Sequence, residues 1–222
     1  MDTTQKNVKV WDPVVRIGHW ILVIAFFTAY FTEDDLLTQH VWAGYVVTAI
    51  VLFRLIWGFI GSKHAKLSDF IYSPRAVFAY LKGLARRKPQ HYLGHNPAGG
   101  AMVIALLISL SGTTFTGLKL YAVEKNAGPF ACQATVREST PASGFIATAQ
   151  ADEEEDMDGS ENTMVNEEDE DYWEGLHEFF VNFTLLLVVL HIGGVILSSL
   201  IDKENLVKAM ITGTKKIPQD NV

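Results

Sequence analysis

The sequence predicts an all-α membrane protein: a four-transmembrane-helix bundle with a long acidic outer loop. Three observations predict it. Four apolar runs, Ile17–Phe31, Val41–Ile60, Ala98–Leu120 and Phe179–Leu200, approach or reach the ~20 residues a helix needs to cross a bilayer. The connections between them segregate by charge. The tryptophans, Trp11, Trp20, Trp42, Trp57 and Trp173, all stand near the ends of the runs, where amphipathic rings settle at headgroup level. Lipid offers no partner to an open backbone amide, so each run is expected as an α-helix.

In chain order, the helices are expected at about 12–32, 40–61, 97–121 and 174–201, in one domain covering 1–222. The first run is short, and Trp11–Pro13 and Thr32 extend it to the interfaces. Lys6, Lys9 and Arg16 before it resemble the start of a signal peptide, but no small-x-small cleavage site follows Tyr30, so the helix is expected to be retained. Residues 61–97 carry Lys63, Lys66, Arg75, Lys82, Arg86, Arg87 and Lys88 against Asp69. Within them Pro74–Leu84 has helical apolar spacing and reads as a short helix lying in the interface. Asn96-Pro97 marks the start of the third helix.

The connection from Val123 to Asp171 is long, and its second half is low-complexity and acidic. Such a segment buries too little apolar surface to order itself. A solvated loop without a specific role is its simplest reading; a docking surface for a basic redox protein is the sharper one. A calcium site is a weaker option, because EF-hand spacing is lacking. Basic connections stay in the cytoplasm. With both termini and 61–97 inside, every connection obeys that rule, which predicts a bacterial inner-membrane protein whose acidic loops face the periplasm.

Cys132 is the single cysteine, so no internal disulfide and no CxxCH attachment of haem exist. GxSxG, HExxH, P-loop and CxxC patterns are all missing. No catalytic residue and no nucleic-acid partner are expected; membrane lipid is.

The chemistry rests on histidines. His177 and His191 are fourteen residues apart on one run, roughly 21 Å along a helix and nearly on the same face. In the orientation set by charge, His19 and His191 lie at the inner depth, and His40 and His177 at the outer depth. Two axial imidazoles at one depth hold haem iron with no open position, which suits electron transfer. The four histidines are therefore the expected iron ligands of two haem b groups. Gly18, Gly44, Gly193 and Gly194 lie beside them, where small residues let a flat macrocycle or another helix approach. Arg54, fourteen residues after His40, reaches the inner depth, where it pairs with a haem propionate or snorkels to the interface. Arg16 is a second candidate for the same haem. His95, just before the third helix, is a candidate contact to the inner haem or to a quinone.

These stretches resemble the prokaryotic cytochrome b561 family, which includes the b-type cytochrome subunits of nickel–iron hydrogenases. The likeness is carried by Trp11-Asp12-Pro13-Val14-Val15-Arg16-Ile17-Gly18-His19-Trp20, by His40-Val41-Trp42-Ala43-Gly44-Tyr45 with Arg54-Leu55-Ile56-Trp57-Gly58, by Tyr92-Leu93-Gly94-His95-Asn96-Pro97-Ala98-Gly99-Gly100, and by His177 with His191. It covers nearly everything except Val123–Asp171. The resemblance implies two b haems in four helices, one helix donating two histidines, and electron exchange between periplasmic redox proteins and the quinone pool. The acidic loop is longer than the family core requires. By charge alone, its expected partner is a periplasmic c-type cytochrome. The alternative is a membrane-anchor cytochrome subunit of a nickel–iron hydrogenase or another periplasmic oxidoreductase. A remote alternative is a histidine-based metal transporter or sensor, although tetrahedral zinc usually takes thiolates or carboxylates as well.

Overall fold

The computed structural model describes residues 5–9, 12–33, 36–61, 66–86, 96–131, 160–202 and 205–218. Four helices are long and apolar enough to cross a membrane: α1 (Pro13–Phe31), α2 (Leu37–Ile60), α4 (Pro97–Lys125) and the Glu168–Ile201 part of α5 (Ser160–Asp202). A 3-10 turn (Leu67–Phe70) and the short helix α3 (Pro74–Ala85) lie between α2 and α4. A last helix α6 (Leu206–Thr212) follows α5.

The sequence explains where the helices begin. Asp12 Oδ1 accepts the amide of Val14 at 2.8 Å, with Pro13 in the first turn of α1. Asn96 Oδ1 accepts the amide of Gly99 at 2.7 Å, with Pro97 next. Each cap satisfies an amide that the helix cannot. Proline at the first position loses nothing, because its missing N–H would have had no helical partner. Helix α4 ends beyond the expected 121, with Asn126 in the left-handed conformation at φ 45°.

The start of α5 differs more from expectation. It begins at Ser160, fourteen residues before 174, and takes in residues 160–171 of the acidic connection. Carboxylates are favoured at a helix N-terminus by its dipole. Extending a helix already nucleated by a membrane span fixes one residue per hydrogen bond. The rest of the acidic connection, 132–159, lies outside the described residues, as does Cys132.

Helices α4 and α5 make the most intimate pair, α1 and α2 the second, and α2 joins the pairs through α4. Ala25 and Phe26 of α1, Val47 and Val51 of α2, and Leu110 of α4 form the core between them. Hydroxyls hold α4 to α5. Ser109 Oγ lies 2.6 Å from Thr184 Oγ1, and Thr113 Oγ1 lies 3.1 Å from it. Such small polar residues let helix backbones approach closely where lipid gives no hydrophobic drive for association. The outward faces are apolar: Ile24, Phe31, Phe59 and Leu200 are all exposed.

One end of the bundle is built from distant parts of the chain. Strand β1 (Gln5–Lys9) pairs antiparallel with β2 (Thr214–Pro218), Gln5 opposite Pro218 and Lys9 opposite Thr214. Four crossings bring the two strands to the same end. There the 3-10 turn passes so close to α4 that a Cβ on Gly100 would lie 2.7 Å from the Phe70 carbonyl oxygen. Histidines 19 and 191 lie toward this ribbon end, and His40 and His177 lie toward the far end.

Candidate haem-binding site

At the far end all four spanning helices line an open cleft. His40 of α2 and His177 of α5 face each other across it, ring centres 6.2 Å apart and planes at 82°. Both rings are therefore placed where they could hold one metal-bearing group between α2 and α5.

Their hydrogen bonds orient them. His40 Nδ1 lies 2.9 Å from the carbonyl oxygen of Ala29, in the last turn of α1. The same carbonyl also accepts the Thr32 amide at 3.2 Å and the Thr32 hydroxyl at 3.3 Å. His177 Nδ1 lies 3.0 Å from the Thr113 carbonyl oxygen and 3.1 Å from Thr116 Oγ1. A carbonyl can only accept, so Nδ1 carries the proton in both rings. In the neutral ring the lone pair is then on Nε2. Metal-ligating histidines are characteristically held this way, by a carbonyl on the other nitrogen.

Two glycines make room. A Cβ on Gly117 would lie 2.8 Å from His177 Cε1, so only glycine lets the ring lie against α4. A Cβ on Gly44, in the wall of the cleft, would meet nothing within 4 Å. The lining is largely apolar, including Phe26, Val47 and Val181 beside Tyr30, Tyr45 and Tyr121. This suits the body of a macrocycle.

The second pair is nearer the ribbon end. His191 lies within electrostatic reach of His19. His19 Nδ1 is buried and has no hydrogen-bond partner among the described residues, and its ring meets Trp20 edge-on at 5.4 Å. A buried polar nitrogen without a partner is costly unless a ligand satisfies it or its ring. Cβ atoms on Gly193 and Gly194 would meet nothing within 4 Å, and one on Gly18 would first meet Ile50 at 4.0 Å. The donor set is therefore two imidazole pairs. Among the described residues no three His, Cys, Asp or Glu side chains converge on a point.

A sequence model of the family described as prokaryotic cytochrome b561 matches residues 10–213. The chain belongs to the prokaryotic cytochrome b561 family. It is accordingly a multi-pass membrane cytochrome of the b type, with haem b as the family's cofactor. Among curated relatives, this cytochrome is 29% identical over 157 residues to a protein of Azotobacter chroococcum mcd 1 named probable Ni/Fe-hydrogenase B-type cytochrome subunit, covering 57% of this chain and 65% of that one. It is 28% identical over 148 residues to the protein of the same name in Azotobacter vinelandii, covering 53% and 61%. A probable Ni/Fe-hydrogenase 1 B-type cytochrome subunit of Escherichia coli (strain K12) is 23% identical over 151 residues, covering 55% and 63%. The chain thus spans less than two thirds of the length of these relatives. No solved structure matches.

The remaining predicted site residues of the cytochrome are placed as follows. Arg54 lies near the ribbon end, its guanidinium carbon 5.4 Å from the centre of the Phe70 ring and within electrostatic reach of Asp12. Arg16 donates from Nε to the Met210 carbonyl at 3.1 Å and from Nη2 to the Ile211 carbonyl. Those carbonyls are in the last turn of α6, so Arg16 serves as a helix C-cap supplied by α1. His95 lies outside the described residues.

Sequence reasoning did not find Thr113, Thr116, Gly117 or the Ala29 carbonyl. A signal was present: Ser109, Thr113 and Thr116 interrupt an apolar run at helical spacing, and polar groups on one face of a spanning helix point to the bundle interior.

Proposed function

We propose that this cytochrome holds two b haems, one between His40 and His177 and one between His19 and His191. We propose further that it serves as the membrane subunit of a nickel–iron hydrogenase or a similar periplasmic oxidoreductase, exchanging electrons with the quinone pool. One observation carries the haem reading: two imidazoles in one largely apolar cleft, ring centres 6.2 Å apart, each with Nδ1 tied to a backbone carbonyl and Nε2 left to bind. A haem bound there supplies a one-electron iron couple. The protein's part is to fix the two rings, present Nε2, and surround the site with apolar side chains that set its potential. The placement in the inner membrane, with the ribbon end in the cytoplasm, is supported by the basic residues 61–97 and by the acidic far-end connections.

The names of the relatives favour a hydrogenase partner over a c-type cytochrome. The acidic residues of 151–174 favour the second reading, a basic c-type cytochrome docking at the far end. A dithionite-reduced minus oxidised spectrum with pyridine-haemochrome quantification tests the cofactor claim. Two b haems per chain are expected; a colourless protein after haem-replete expression sinks it. Mild-detergent purification from the native membrane then separates the partners: a stoichiometric iron–sulfur subunit supports the first, and reduction by a soluble c-type cytochrome without one supports the second.

A further inference from the structure

Helix α3 has three faces, and two of them are left over by the fold. The first is spent on protein. Tyr80 and Leu84 are buried, and Asn96 Nδ2 donates to the Tyr80 hydroxyl at 2.8 Å, which fastens α3 to the start of α4. At ~100° per residue the second face carries Phe78 and Leu81, which are 72% and 45% exposed, and Ile71, three residues before α3, is 71% exposed. The third carries Arg75, Lys82 and Arg86, all exposed. Spaced i, i+7 and i+11, they fall within ~40° of one another and form a row roughly 16 Å long. The row borders the apolar face and lies away from Tyr80 and Leu84. Between residues 66 and 86 the only acid is Asp69, against Lys66 and these three cations.

We propose that the outer faces of α3 form a binding site for anionic phospholipid. Phe78 and Leu81 enter the acyl boundary, and Arg75, Lys82 and Arg86 take the headgroup phosphates. The helix adjoins the ends of the spans, because the turn before it packs on α4 at Gly100 and on α2, where Leu67 fills the space beside Gly58. That fixes α3 at the boundary between acyl chain and headgroup. An apolar strip with a cationic row beside it matches an anionic lipid at both of its ends. Basic residues next to spanning helices attract anionic lipid additively. A zwitterionic lipid would satisfy the apolar strip but leave the three cations without a net countercharge. A soluble acidic protein would satisfy the cations and leave Phe78 and Ile71 in water. The site is independent of what the cleft binds.

The test uses the full-length protein in mixed micelles of equal phosphatidylglycerol and phosphatidylcholine, with retained lipids counted by native mass spectrometry. Wild type is expected to retain phosphatidylglycerol several-fold over its bulk proportion, less so as salt rises. The triple variant R75Q/K82Q/R86Q is expected to fall close to the bulk ratio while keeping its pigment and its melting temperature. A second variant, F78S/L81S, should retain less lipid of both kinds. Wild type without a preference, or a well-folded triple variant that keeps the full preference, overturns the proposal. Should the triple variant fail to fold, R75Q and R86Q singly must each lower the preference, and two singles that leave it unchanged overturn the proposal equally.

Discussion

Thr116 Oγ1 lies 3.1 Å from His177 Nδ1 while staying within 2.9 Å of the Gly112 carbonyl behind it. The hydroxyl donates to its own helix, so it faces the imidazole as an acceptor. Together with the Thr113 carbonyl it draws on the Nδ1 proton and makes the ring a stronger electron donor through Nε2. Replacing Thr116 by Val removes one of two acceptors and leaves the shape nearly unchanged. The oxidised iron is then less well stabilised, and the far-end haem potential should rise. For a hydrogen bond of ~0.5 kcal/mol, the rise is about 20 mV, since a one-electron couple moves ~59 mV per tenfold change in equilibrium constant. A redox titration that resolves the two haems measures it. A fall, or an equal change in both haems, contradicts the assignment of Thr116 to the far-end site.

Gly117 and Gly175 make a contrasting pair. Both are helical glycines near His177, yet a Cβ on Gly117 would lie 2.8 Å from the ring, while one on Gly175 would meet nothing within 4 Å. The flat ring lies against α4 and has little room to retreat. Gly117→Ala should therefore turn His177 away from His40 and remove about one of two haems. Gly175→Ala should keep both and gain a few tenths to ~1 kcal/mol of helix stability. Haem-to-protein ratios decide the matter; equal haem content in the two variants would mean that Gly117 does not set the ring position.

Why some of this was legible in sequence and some was not follows from what each feature depends on. The spans depend on length and apolarity, which are local, so the runs around α1, α2, α4 and α5 could be read directly. The histidine pairs needed only depth, and counting residues from a charged end gives depth. The Ala29 and Thr113 carbonyls needed the rotation of α1 and α4 about their axes. In α4 the row Ser109, Thr113 and Thr116 marks the inward face, but which acceptor meets His177 is set by packing against α5. Arg16 donates to carbonyls 194 and 195 residues away, a contact that depends on tertiary packing and cannot be counted along the sequence. Composition argues against order in the acidic start of α5, and it carries no sign that the helix extends from the span behind it.

The two histidines of α5 should be separable by mutation. His177 has an oriented ring and a partner at 6.2 Å, whereas His191 lies within electrostatic reach of His19, whose Nδ1 has no hydrogen-bond partner among the described residues. His191→Ala is expected to leave one b haem per chain, the far-end one. His177→Ala is expected to leave the other. In the second variant the remaining haem should exchange more readily with free haem, because nothing described orients the His19 ring through Nδ1. Low-temperature difference spectra and haem-exchange rates provide the readout. Full haem content in both variants would sink the ligand assignment for the helix.

Arg16 should affect the ribbon end and not the haems. Its two hydrogen bonds to the carbonyls of Met210 and Ile211 tie the first turn of α1 to the last turn of α6, immediately before β2 begins at Thr214. Hydrogen bonds from a charged donor are worth ~1.5–3 kcal/mol when buried, and this pair is only partly buried, so about 1 kcal/mol of local stability is the expected loss in Arg16→Gln. The loss is local because the four spans pack without α6. Amide exchange in residues 206–218 should therefore quicken about five-fold, since 1.4 kcal/mol is a factor of ten, while exchange in α4 and α5 and the haem spectrum stay as they are. Were Arg16 instead a propionate partner, the variant would shift the spectrum or potential of the haem near His19 and leave the exchange of 206–218 unchanged.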